Sequence, residues 1–98
     1  METPPIACSL SGADLRVRSA EWDGLLSRSL ISALAIPAGV RLNVEPGAAA
    51  ELARLIDLER ACCAWMRFDF EDLETVAITA EGEGPEVLRA MFLERHPA

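Results

Sequence analysis

Two adjacent cysteines and a glutamate lie at helical spacing in the second half of this 98-residue chain. Glu59 precedes Cys62 and Cys63 by three and four residues, so on a helix the three side chains would share one face. Thiolates and carboxylates bind metals or act in thiol chemistry, and thiolates prefer soft ions such as Zn, Cu(I), Hg, Cd and As(III) to Mg or Ca. This group is therefore the first candidate for a functional site.

The residues around Glu59 predict that its carboxylate is buried. A helix is expected to begin near Pro46, and its apolar stripe includes Glu59 with Leu52, Leu55, Ile56, Cys62, Cys63 and Met66. A buried carboxylate is costly unless it is paired, protonated or bound to a metal. Two interpretations remain open. In the first, Glu59 is a metal ligand or accepts a thiol proton. In the second, it lies near the edge of the apolar face and pairs with an arginine such as Arg16, Arg18 or Arg67.

The elements that position these groups follow from the spacing of apolar and turn residues. In order, the sequence predicts a strand at 6–10, a helix at 12–27, strands at 30–36 and 40–44, the helix after Pro46, strands at 66–70 and 75–80, and a helix from Pro85. The predicted fold is a single α+β domain over residues 1–98, with 1–5 as an extended lead-in. Its antiparallel sheet carries helices on one face.

A third thiol, Cys8, is predicted to join the site through the topology. The element order β-α-β-β-α-β-β-α is ferredoxin-like in its first six elements. In that arrangement the first strand lies antiparallel beside the strand at 66–70, which brings Cys8 close to Cys62 and Cys63. The expectation requires residues 30–36 to be a strand. If the first helix continues through them, a plainer α+β domain results.

Composition excludes several classes of function. The net charge is −7 and the nine basic residues are all scattered arginines, which argues against a nucleic-acid binder. No window approaches the roughly 18–20 apolar residues of a membrane span, and the N-terminus lacks the pattern of a secretory signal. A cytoplasmic location is therefore expected. Thiols stay reduced there, so the three cysteines are interpreted as reduced thiols, metal ligands or catalytic groups before a disulfide.

The position of the thiols favours a soft metal over covalent catalysis. Cys62 and Cys63 are near the predicted C-terminus of a helix, where the helix dipole disfavours a thiolate and a bound cation is stabilising. The C-x-x-C spacing of structural zinc sites is absent. His96, the single imidazole, is interpreted as a solvated tail residue, and Trp22 and Trp65 as packing residues.

Residues 59–68, E-R-A-C-C-A-W-M-R-F, together with residues 6–10, I-A-C-S-L, resemble a group of small bacterial proteins. Those proteins carry an E-x-x-C-C-x-aromatic-x-x-F block that also appears near, or attached to, metal-responsive regulators of the mercury-resistance type. Trp65-Met66 here departs from the usual aromatic pair. The resemblance implies a metal-associated role, such as heavy-metal resistance, with Cys8, Glu59, Cys62 and Cys63 as the site.

These observations lead to one main hypothesis and two alternatives. The main hypothesis is a cytoplasmic binding protein for a thiophilic metal or metalloid ion, zinc among them, with Cys8, Cys62 and Cys63 as ligands and Glu59 as fourth ligand or proton acceptor. One alternative is a thiol-dependent enzyme that cleaves a carbon–metal bond or acts in redox chemistry. The other is an interaction module in which the outward sheet face or an exposed helix forms a homodimer and the cysteines are merely buried.

Overall fold

The computed structural model describes residues 12–94, which form three helices and a four-stranded antiparallel sheet. In chain order the elements are α1 (Gly12–Ser29), β1 (Leu30–Ile36), β2 (Gly39–Val44), a 3-10 turn (Pro46–Ala48), α2 (Ala49–Cys62), β3 (Arg67–Asp72), β4 (Thr75–Thr79) and α3 (Gly84–Arg89), which continues into a π-helical turn (Ala90–Glu94). The predicted α+β class is confirmed. No helix in residues 12–94 is long and apolar enough to cross a membrane.

β1 and β2 form the predicted hairpin, so the alternative in which the first helix continues through residues 30–36 is wrong. Ile36 pairs with Gly39 across a two-residue turn, Pro37-Ala38, in which Ala38 has a φ of 67°. Proline followed by a residue of positive φ is typical of a type II turn. Gly39 is required for a different reason, since a Cβ at this position would collide with the carbonyl oxygen of Ile78 on β4.

The strand order is β1-β2-β4-β3, and this differs from the ferredoxin-like arrangement predicted for the first six elements. In that arrangement the strand at 6–10 would lie between β2 and β3. Instead, β4 pairs with β2 on one side and with β3 on the other, so it takes that place. The topological reason for bringing Cys8 beside Cys62 and Cys63 is therefore lost, and residues 6–10 themselves lie outside the described part of the chain.

One face of the sheet packs against residues from all three helices. The period-two alternation predicted for β2 and β4 buries Val40, Leu42, Val44, Val76 and Ile78, and the helices contribute Trp22, Leu25, Leu26, Leu52, Leu55, Ile56, Leu88 and Phe92. At the surface, two ion pairs join α1 to α2, Glu21 with Arg54 and Arg28 with Glu51. This packing fixes the face of α1 that lies against the end of α2.

Candidate metal centre

Glu59 lies on the core-facing side of α2 and is buried, as its place in the apolar stripe predicts. Only 6% of the residue is exposed to solvent, and it follows the fully buried Leu52, Leu55 and Ile56 along the same helix face. Among residues 16–94, it is the only charged residue with this degree of burial. A carboxylate in such a position needs partners that satisfy both of its oxygens.

The end of α2 brings both thiols to one oxygen of Glu59. Cys62 is the last helical residue, and Cys63 leaves the helical conformation with φ −123° and ψ 74°, while its N–H still donates to the Glu59 carbonyl oxygen at 2.7 Å. The sulfur of Cys63 is 3.3 Å from Glu59 Oε1, and that of Cys62 is 3.8 Å from it. The two sulfurs are 3.5 Å apart. The change of backbone conformation at Cys63 therefore lets two adjacent side chains converge on one point.

The other oxygen of Glu59 is held by α1. The indole N–H of Trp22 donates to Glu59 Oε2 at 2.8 Å, and Arg18 Nη1 donates to the same oxygen at 3.2 Å. Trp22 is itself fixed by an edge-to-face contact with Phe92, with ring centroids 5.4 Å apart. Oε2 is thus engaged by α1, and Oε1 faces the thiols.

Arg18 adds a positive charge to one side of the site. Its Nη1 also lies 3.8 Å from the Cys62 sulfur, and only 14% of its side chain is exposed. Burial alone would lower the pKa of this guanidinium, but the hydrogen bonds and negative charges of Glu59 and Cys62 outweigh burial and raise the pKa above its ordinary value. Arg18 is therefore a permanent cation at physiological pH, and it lies beside Glu59 and the Cys62 sulfur.

The contacts of Glu59 fit both of the interpretations that the sequence left open. Glu59 pairs with Arg18, one of the three arginines named for that role, and it also contacts both thiols. One oxygen of Glu59 and the two sulfurs all lie within 4.8 Å of one another, close enough to hold a metal ion. Cys8 and His96 lie outside the described residues, so the role predicted for Cys8 stays a prediction.

The indole of Trp22 was missed as a site residue because its ring also packs in the core. The signal that identifies Glu59 also favours Arg18 among the three arginines named as its partners, since Arg18, Trp22, Leu25 and Leu26 follow one another at helical spacing on α1. A charged residue within that apolar stripe predicts a buried partner of opposite charge. Only the packing of α1 against α2 shows which partner it is.

An open groove of about 910 Å³ is lined by residues of the last turn of α2 and of the chain that follows it. Its walls include the indole of Trp65 and the side chains of Arg60, Met66 and Phe68. Neither Cys62 nor Cys63 is among the described residues that line it. The groove therefore gives no support to the alternative of an enzyme that presents these thiols to an organic substrate.

No protein-family model, curated protein or solved structure matches this chain. The resemblance of residues 59–68 to domains associated with metal-responsive regulators accordingly stays a prediction, and the functional argument depends on the geometry of the site.

Proposed function

We propose that this protein is a cytoplasmic binding protein for a thiophilic metal or metalloid ion, with Glu59, Cys62 and Cys63 as ligands and Cys8 as the predicted fourth. The observation that carries the proposal is the convergence of two sulfurs and one carboxylate oxygen at a buried position. Soft sulfur ligands select ions of the Zn, Cu(I), Hg, Cd or As(III) class, and a single carboxylate oxygen is too few for Mg or Ca.

The hydrogen bonds to Glu59 support this proposal because they are of the kind that orients metal ligands in proteins. Ligating groups are usually held by outer hydrogen bonds that fix their orientation. Trp22 and Arg18 fix Glu59 through Oε2, which is the oxygen that does not face the sulfurs. The carboxylate is therefore oriented towards the thiols without an additional ordering step.

Titration of the reduced 98-residue chain with Zn, Cd, Hg, Cu(I) and As(III) tests the proposal. Binding should release protons, because thiols must deprotonate to become ligands, and should produce thiolate-to-metal absorption. Cys62→Ser and Cys63→Ser should each weaken binding by at least tenfold. Glu51→Gln, a glutamate of the same helix that pairs with Arg28 at the surface, is the matched control for Glu59→Gln.

Cys8→Ser forms a separate arm of this experiment. If Cys8 is the fourth ligand, its removal should weaken binding about as much as removal of either neighbouring thiol. The proposal as a whole would be refuted by affinities weaker than about micromolar for every ion in the series, or by affinities that neither Cys62→Ser nor Cys63→Ser changes. The latter result would favour an interaction module with merely buried cysteines.

A further inference from the structure

We infer that the site binds its ion in tetrahedral geometry through two sulfurs and one carboxylate oxygen, as a divalent ion such as Zn²⁺ is bound, rather than linearly between the two sulfurs. The inference rests on the proposed function and makes it more specific. It follows from the dimensions of the ligand triangle, from the hydrogen bonds of Glu59 and from the charge of Arg18.

The ligand atoms already form a triangle of the size that tetrahedral zinc requires. With Zn–S bonds of about 2.3 Å and Zn–O bonds of about 2.0–2.2 Å, a tetrahedral ion separates two sulfurs by about 3.8 Å and each sulfur from the oxygen by about 3.6 Å. The observed edges are 3.5 Å between Cys62 Sγ and Cys63 Sγ, and 3.3 Å and 3.8 Å from Cys63 and Cys62 to Glu59 Oε1. Each edge agrees to within about 0.3 Å, so an ion could bind with little movement of its ligands.

Linear coordination would require a different arrangement. At the same bond length, two sulfurs on opposite sides of an ion are about 4.6 Å apart, about 1 Å further than Cys62 and Cys63 are here. The two residues are adjacent, and the hydrogen bond from the Cys63 N–H to the Glu59 carbonyl fixes the backbone between them. Separating the sulfurs also breaks their contacts with Glu59 Oε1, which has no role in a linear complex.

Glu59 can supply only one oxygen, and this suits a tetrahedral ion. Its Oε2 accepts from Trp22 at 2.8 Å and from Arg18 at 3.2 Å, so bidentate binding would sacrifice two hydrogen bonds in a buried environment. An ion that needs six to eight oxygen ligands would receive only one oxygen from Glu59. The fourth tetrahedral position is left to Cys8 or to a solvent molecule.

The charges of the described residues favour a dication. With both thiols deprotonated, the three ligands carry three negative charges, and Arg18 contributes one positive charge. With a solvent molecule as the fourth ligand, a divalent ion leaves this group neutral, whereas a monovalent ion leaves one negative charge uncompensated, which is costly away from water. A Cys8 thiolate in the fourth position would add one further negative charge. Arg18 therefore compensates part of the charge of the ligands without binding the ion.

X-ray absorption of the Zn²⁺ complex of the reduced 98-residue chain tests the coordination directly. We expect two sulfurs, or three if Cys8 binds, at about 2.3 Å and at least one oxygen at about 2.0–2.2 Å. Co²⁺ in place of Zn²⁺ should give the intense visible bands of a tetrahedral site. Glu59→Gln should shift these bands and lower Co²⁺ affinity at least tenfold, whereas Glu51→Gln should leave both unchanged.

The outcomes separate this inference from the proposed function. If Hg²⁺ or Cu(I) binds in a manner that requires Cys62 and Cys63 while Zn²⁺ and Co²⁺ do not bind, the proposed function stands and the inference is overturned. Zinc held by sulfur alone, or an octahedral Co²⁺ spectrum, also overturns it. If Glu59→Gln does not fold, the X-ray absorption of the unaltered chain still decides between tetrahedral and linear coordination, because it counts the ligands and measures their distances without any substitution.

Discussion

The indole N–H of Trp22 provides a quantitative test of the contacts that hold Glu59. Trp22→Phe removes the donor that lies 2.8 Å from Glu59 Oε2 and retains an aromatic ring next to Phe92. A hydrogen bond to a charged acceptor contributes about 1.5–3 kcal/mol, and a buried acceptor that loses a partner also carries a desolvation penalty. The free energy of unfolding should therefore fall by about this amount in addition to the loss from the smaller ring.

Trp65 offers a matched control, because the same exchange removes the same atoms without breaking a hydrogen bond. Its indole nitrogen is buried and has no hydrogen-bond partner among the described residues. Trp65→Phe therefore loses ring contacts but also removes an unsatisfied donor. Trp22→Phe should be more destabilising than Trp65→Phe by about 1.5–3 kcal/mol.

Urea denaturation of the reduced chain, with a chelator present, measures the free energy of unfolding of both variants. The two values can be compared when the variants show the same dependence of that free energy on urea concentration. Trp22 is more deeply buried than Trp65, so a double-mutant cycle of Trp22→Phe with Glu59→Met separates the hydrogen bond from the ring. We expect a coupling energy of at least about 1 kcal/mol. Equal losses at Trp22 and Trp65 together with an additive cycle would show that the indole does not hold the carboxylate.

Three further predictions concern the turn, the buried ion pair and pH. Ala38→Gly should stabilise the protein by about 0.5–1 kcal/mol because the backbone there is left-handed, and Gly39→Ala should destabilise it because its Cβ would collide with β4; thermal denaturation distinguishes the two signs. In urea denaturation, Arg18→Met should cost about 3 kcal/mol or more by leaving a buried carboxylate without its counter-charge, whereas Arg28→Met, in an exposed pair, should cost less than about 1 kcal/mol. Because the pKa of Arg18 is raised on folding, its contribution to stability is complete below the ordinary arginine pKa and is lost only as the pH rises through the pKa in the folded protein. A steep loss of the coupling between Arg18 and Glu59 from neutral to mildly alkaline pH would contradict the ion pair between these two residues. Apparent metal affinity should instead rise with pH across the range in which the thiols lose protons, which titrations at several pH values measure.

The parts of the site that the sequence predicts are those set by one helix. Burial of Glu59 and its proximity to Cys62 and Cys63 follow from spacings of three and four residues, and the structure confirms both. The hairpin at 30–44 is similarly local, because a turn sequence and two apolar runs specify it. These features require no knowledge of which distant elements meet.

The strand order could not be predicted in the same way. Alternation along β4 shows that one face is buried, but it does not show which strands become its neighbours. The insertion of β4 between β2 and β3 depends on close packing at Gly39, where β2 meets the backbone of β4. A glycine directly after a proline turn is easily interpreted as part of that turn, so the sequence conceals this second requirement.

The two oxygens of the Glu59 carboxylate have different partners, so one residue can form a buried ion pair and also act as a metal ligand. Oε2 binds α1 through Trp22 and Arg18, and Oε1 faces two sulfurs at the end of α2. If the thiols only filled space, replacing both with alanine would change stability through lost packing alone and would leave added metal without effect. If they are ligands, Zn²⁺ should raise the stability of the unaltered chain in proportion to the logarithm of its free concentration once the site is saturated, and should not stabilise the double alanine variant. Since the ion would join the end of α2 to a carboxylate that α1 already holds, the added stability should extend to α1, and hydrogen exchange of its amides should slow when Zn²⁺ binds.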